Sequence, residues 1–244
     1  MASTMGLINP AGALTEEQVI DHLRSVPVYT IATSNGLVVF SDRVEAEEDT
    51  GPVALVFINR DDAEQFLSSN QNSDVNLPAD SRVELGSLGG MYEYAISVQD
   101  PENPIEFEHI PSPDERQSAV EVLQDQLERQ GEDPSEVNRF LGVPLFFACR
   151  GDNNCFTTFF FSFDEFQSEF QSFVDRVSEE NSQVAQELEP SVISLESYIR
   201  LLLEETEDVE DLAQFRLVPS IETRQEVQER VQAAESEAED SGAQ

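Results

Sequence analysis

The sequence has no lysine and no tryptophan, and its thirteen basic residues are all arginine. Against fifty Asp and Glu they leave a formal net charge of −37. That shortage excludes nucleic acid as a partner, because phosphate binding needs clustered cations. Long apolar runs are also missing: none approaches the roughly 18–20 residues that cross a bilayer as a helix. There is no Gly-rich phosphate loop, Walker motif or dinucleotide fingerprint. Cysteine occurs twice and histidine twice. Cys149 and Cys155 lack the spacing of a metal or thioredoxin motif. A catalytic triad needs a nucleophile, a base and a group that orients the base, and no such set is suggested around His22 or His109. Both are read as surface or structural residues. The carboxylate runs 45–49 and 204–211 lack the ordered ligand spacing of a calcium loop and read as solvated faces. No catalytic, cofactor-binding or metal residue is therefore assigned, and the expected protein is not an enzyme.

What is present is aromatic and acidic. Sixteen Phe and a hydrophobic fraction of 39% suffice for a core. The carboxylates are spread over nearly every polar segment, which fits a surface adapted to high salt, as in a halophile; the alternative is a dedicated acidic interaction surface. The most apolar stretch, Gly142 to Phe163, places two apolar runs around Gly151-Asp152-Asn153. Aromatic and β-branched residues favour buried strands, and Gly, Asp and Asn favour the reversal between them. With Asp152 at the turn, Cys149 and Cys155 face each other, and opposed strand residues lie about 4.5–5.5 Å apart between Cα atoms, close enough for a disulfide. Two small, partly buried thiols are the alternative. Strand alternation puts Phe159, Phe161 and Phe163 in one row and Phe156 and Phe160 in the other. One row meets helices; the other is a candidate client groove. The residues named for client binding are Tyr29, Ile31, Phe147, Phe159, Phe161 and Phe163.

The first half echoes the second. Val26-Pro27-Val28-Tyr29 resembles Val143-Pro144-Leu145-Phe146, Phe57 to Asp62 resembles Phe160 to Glu165, Ser87-Leu88 resembles Ser194-Leu195, and Phe107 to Ser112 resembles Phe215 to Ser220. Helix signals recur at Thr15/Gln18, Asn59/Asp62, Ser112/Glu115 and Ser162/Glu165, each a cap followed three residues later by a carboxylate or amide. Gly89 and Gly90 weaken a helix over 87–94. A short helix is expected from Asp133 to near Leu141. The expected fold is α+β and internally duplicated: two half-domains related by a pseudo-two-fold, with a mainly antiparallel sheet and flanking helices. The divisions are 1–13, disordered or added in cloning; 14–130, first half; 131–221, second half; and 222–244, an acidic helix or disordered tail. Met1 to Pro10 shows neither the basic start nor the apolar middle of a signal peptide.

This combination resembles the Tic twenty-two family, the small soluble subunit of the translocon at the inner chloroplast envelope and its cyanobacterial homologues. The similarity is carried by Leu23–Tyr29, Val56–Phe66, Val83–Glu93, Phe107–Pro111 and Phe140–Ala148, and spans Leu14 to Pro219. The resemblance implies a pseudo-two-fold α+β protein with apolar depressions, acting in protein transport as a chaperone-like factor. It implies a cyanobacterial periplasm or a plastid intermembrane space, possible thylakoid association included. It also implies unfolded precursors or outer-membrane proteins as clients, and translocon or outer-membrane assembly components as partners. A small-ligand-binding protein or enzyme with a pocket between the halves is the alternative.

Self-repulsion of this charge opposes the compact state, and salt screens it. The melting temperature is expected to rise steadily as KCl is raised from about 0.05 M toward about 2 M. A melting temperature indifferent to KCl in calorimetry would refute the salt-adapted reading.

Overall fold

Apolar runs buried on both faces form the central strands of two sheets. A computed structural model describes residues 13–40, 52–70, 77–98, 105–150, 154–204 and 214–241. In the first sheet β1 (Pro27–Thr33) pairs antiparallel with β2 (Gly36–Leu37), β3 (Val53–Phe57) and β4 (Arg82–Ser87), and β3 pairs parallel with β5 (Glu106–Ile110). In the second, β6 (Pro144–Arg150) pairs antiparallel with β7 (Asn154–Cys155), β8 (Thr158–Phe160) and β9 (Leu188–Ser194), and β8 pairs parallel with β10 (Arg216–Val218). Strand order and directions are the same in both. The registers correspond too: Tyr29 lies opposite Leu85 and Phe57, as Phe146 lies opposite Val192 and Phe160. The four echoes in the sequence fall at these matching places. The fold is α+β, with mostly antiparallel strands.

Eight α-helices flank the sheets among the described residues: α1 (Glu16–Leu23), α2 (Arg60–Asn70), α3 (Leu88–Val98), α4 (Pro113–Gln130), α5 (Phe163–Glu180), α6 (Ser182–Gln186), α7 (Leu195–Leu203) and α8 (Ile221–Ser241). The expected helix after Asp133 is only a 3-10 turn, Pro134–Glu136, because the backbone is already extended at Val137. The last described element, α8, runs to Ser241 through a stretch free of Gly and Pro and rich in Ala, Glu, Gln and Arg.

Both sheets share one core. Val28 and Val56 from the first and Leu145, Phe159 and Leu217 from the second meet Val19 and Leu23 of α1, Leu88 of α3 and Leu195, Tyr198 and Leu202 of α7. The outer faces are covered separately. Tyr29, Ile31 and Phe57 pack with Ala63, Phe66 and Leu67 of α2. Phe146 and Ala148 pack with Phe166 of α5 and with Ala119 and Val122 of α4. Helix α4 follows β5 of the first sheet yet covers the second. Reciprocally, α8 follows β10 of the second sheet and lies against Tyr29 and Arg60 of the first half.

This crossing ties the starts of α4, α5 and α8 each to the carboxylate three residues into another helix. Asp62 of α2 is hydrogen-bonded with Ser112, the residue before α4. Glu115 of α4 accepts the Phe163 N–H at the start of α5, at 2.8 Å. Glu165 of α5 accepts the Ile221 N–H at the start of α8 and pairs with Arg224. The N-terminal turns carry unpaired N–H groups and partial positive charge, so anions are favoured there. Ser112 and Glu115 therefore do not close the capping box their spacing suggests; Ser112 makes no side-chain cap bond. The Thr15–Gln18 box does form.

Gly142 leads into β6 at φ +84°, where a Cβ would collide with the Glu196 carboxylate. That carboxylate accepts the Val143 N–H at 3.2 Å and lies 3.4 Å from His109 Nδ1, joining α7 to β5. Burial alone would raise the Glu196 pKa, but the contacts from His109 and Val143 bring it below the usual value. Gly142→Ala is expected to cost more than about 1 kcal/mol, through strain and collision together. Gly131→Ala, at φ +79° but in open space, is expected to cost less. Equal thermal shifts for the two variants would refute the collision.

Burial pushes the Glu115 carboxyl up to about 7, from a usual 4.5. Between those values the unfolded chain has released a proton that the folded chain keeps, so this group lowers stability as pH rises, fully so above about 7. Glu115→Gln retains an acceptor for Phe163 and is expected to melt higher than wild type at pH 8. The gain should shrink toward pH 5. A gain that is independent of pH would contradict this.

Candidate functional site: two apolar grooves

One sheet position decides where the first groove opens. Ile31 and Ala148 lie two residues beyond the matched pair Tyr29 and Phe146, on the same outer face. In the first sheet the Ile31 side chain is buried in the cluster that includes Phe66 and Leu67 of α2. In the second, Ala148 leaves that space empty, and a cavity of about 250 Å³ forms above it. Its walls are Phe156, Thr157, Thr158 and Phe160 on one side and Phe166, Glu169, Phe170, Phe173 and Arg176 of α5 on the other. Phe173 meets Phe156 edge-on with centroids 4.5 Å apart, and the Arg176 guanidinium lies 5.4 Å over the Phe173 ring. Such a contact holds a cation without neutralising it. Cys149 and Cys155 are register partners at this end of β6, and Cys149 is disulfide-bonded. The Phe156 N–H donates to the Ala148 carbonyl at 2.8 Å, which sets the groove wall directly beside the cysteine pair.

The second groove lies in the helix layer over the shared core. Val19 and Ile20 of α1, Tyr92, Ala95 and Ile96 of α3, Phe107 of β5 and Ile199 and Leu203 of α7 line a cavity of about 330 Å³, with Glu16 as the charged lining residue. Ile96 and Leu203 are 46% and 43% exposed at its mouth, and Tyr94 is exposed nearby. These are large apolar side chains standing in water beside an apolar depression, the pattern that marks binding surfaces rather than scattered surface residues.

The residues singled out from sequence lie elsewhere. Phe159 and Phe161 are only 2% and 4% exposed. Phe159 packs against Phe147, Tyr198 and Phe215 in the shared core. Tyr29 and Ile31 are each 1% exposed beneath helices, and Phe147 and Phe163 are half-buried. Phe163 does not share a row with Phe159. The strand ends at Phe160, the Ser162 side chain accepts the Glu165 N–H to begin α5, and Phe163 turns to Phe146 on the outer face. The groove residues that sequence reading missed are Phe166, Phe170 and Phe173. Their three- and four-residue spacing shows that they share one side of a helix, but not what that side meets.

The histidines are tied into structure. A ring nitrogen of His22 lies 2.7 Å from the Tyr198 hydroxyl, and burial lowers the His22 pKa, favouring the neutral ring. His109 stacks on Tyr92, and its Nε2, where a nucleophile would have to sit, is buried without a hydrogen-bond partner among the described residues. No group of three or more metal-ligating side chains is assembled among the described residues, and no described helix is long and apolar enough to cross a membrane.

Two matching sheets with exchanged covering helices, and apolar grooves set in an acidic surface, define an α+β protein built around open apolar depressions. The chain belongs to the Tic22-like family, whose profile matches residues 1–229. Among solved structures it resembles Tic22 from Anabaena, described as a protein-transport protein, with a TM-score of 0.65 and 21% identity over 88% of this chain and 97% of that one. It also resembles Tic22 from Plasmodium falciparum, with a TM-score of 0.54 and 19% identity over 86% and 95% of the two chains. No curated protein sequence matches it significantly.

Proposed function

We propose that this chain is a non-enzymatic protein-transport factor that holds apolar segments of unfolded clients in its two grooves. The observation that carries the reading is the pair of open apolar depressions, each with large aromatic or aliphatic side chains reaching water, on a protein of net charge −37. The acidic surface keeps such a protein from associating through its own grooves. The protein-transport description of the Anabaena structure supports the same role. Clients are unfolded precursors or outer-membrane proteins, and partners are translocon or outer-membrane assembly components. The site of action is a cyanobacterial periplasm or a plastid intermembrane space; a disulfide-bonded Cys149 suits an oxidising compartment.

A closed small-ligand site between the halves is the competing reading. The second groove does lie between helices of both halves, but among the described residues Glu16 is its only charged lining residue. Small-molecule sites place several polar groups to fix orientation, so its lining suits an apolar chain segment better.

Phe170→Asp in the first groove and Ile96→Asp in the second alter half-buried or exposed positions and should leave the fold intact. Each is expected to weaken binding of an unfolded outer-membrane barrel protein roughly tenfold, the scale of losing one buried apolar side chain. A photo-crosslinker placed at either position should capture that client. If both variants are folded, bind as tightly as wild type and give no crosslink, the reading fails.

A further inference from the structure

Helices α4 and α8 occupy matching places, each crossing to the outer face of the other sheet, but they are held by opposite means. Helix α4 is seated by apolar contact: Ala119 and Val122 are buried against Phe146 and Phe166. Helix α8 contributes no residue to any of the three apolar clusters among the described residues. Its hold is polar and confined to its first turns. Glu226 accepts the Tyr29 hydroxyl at 2.8 Å and pairs with Arg60, Arg224 pairs with Glu165, and buried Thr223 is hydrogen-bonded with Tyr29. From Gln228 to Ser236 every side chain is exposed. Ion pairs at a surface contribute about 0–1 kcal/mol each and weaken in salt, whereas apolar burial does not. Beneath this polar clasp lies Tyr29, 1% exposed, on a face that continues into Ile31 and Phe57.

We infer that α8 is a displaceable strap that opens while both sheets stay folded and uncovers the Tyr29 side of the first sheet as a third apolar surface. Elements with few buried apolar contacts open below the free energy of global unfolding. The matching place on the second sheet shows what such a surface accepts, an amphipathic helix with small aliphatic residues on its inner face, as α4 presents. A client segment of that kind would replace α8; this last step rests on the client-holding reading, while the opening does not.

Hydrogen exchange on the full chain tests the opening. Amides of residues 224–236 are expected to exchange at least about a hundredfold faster than those of α4 beyond its first turn. Glu226→Gln and Tyr29→Phe are expected to speed α8 exchange further without moving α4, and to raise the emission of an apolar dye such as anilinonaphthalene sulfonate. If α8 and α4 amides exchange together in one global event, the strap does not exist. If α8 opens and the dye emission of the variants stays at the wild-type level, the strap covers no apolar surface, and the inference is equally overturned. A client-holding reading that failed at Phe170 and Ile96 would leave the exchange result untouched, so the two are read separately.

Discussion

The start of each outer helix is tied to the start of another. Asp62, Glu115 and Glu165 each reach out of their own first turn to the beginning of α4, α5 or α8. A helix N-terminus buried among others would leave several N–H groups without partners, at a cost comparable to lost hydrogen bonds. At α5 and α8 a carboxylate, Glu115 or Glu165, meets that need and the local partial positive charge together. The arrangement fixes where the covering helices begin, and hence which sheet each one covers. Everything outside the shared core hangs from this knot of caps.

Within that frame the two halves differ where it matters. Their registers coincide, but Ile31 fills the space that Ala148 leaves open. Tyr29 meets its covering helix through a hydroxyl, while Phe146 meets its own through a ring. One sheet therefore carries a standing groove and the other a covered face. The chemical asymmetry arises from single side chains at matched positions, with no change of topology.

Much of the fold was legible because local signals agreed with the global answer. The apolar run ahead of Gly151, the Thr15–Gln18 cap and the paired echoes each named an element that exists. The misreadings occurred where a long-range contact decides. Ser112 and Glu115 have capping-box spacing, but their partners are Asp62 and Phe163. Gly89 reads as a helix weakener, yet a Cβ there would strike the Ile20 carbonyl of α1, so the residue permits close helix crossing. The grooves were missed for a related reason. Periodicity shows that Phe166, Phe170 and Phe173 share a helix face, but not that the facing strand has an alanine. Burial of Phe159 could not be separated from exposure until both neighbouring layers were known.

The exchange of α4 and α8 also orders events in time. When a ribosome has released the chain through β5 and α4, the second sheet that α4 covers has not yet been made. The first sheet, already complete, cannot receive α8 until synthesis has passed Ile221. The protein therefore cannot mature half by half: the earliest apolar face to form is among the last to be sheltered. A nascent chain of this design depends on its surroundings, or on its own charge, to stay unassociated until its final helix emerges.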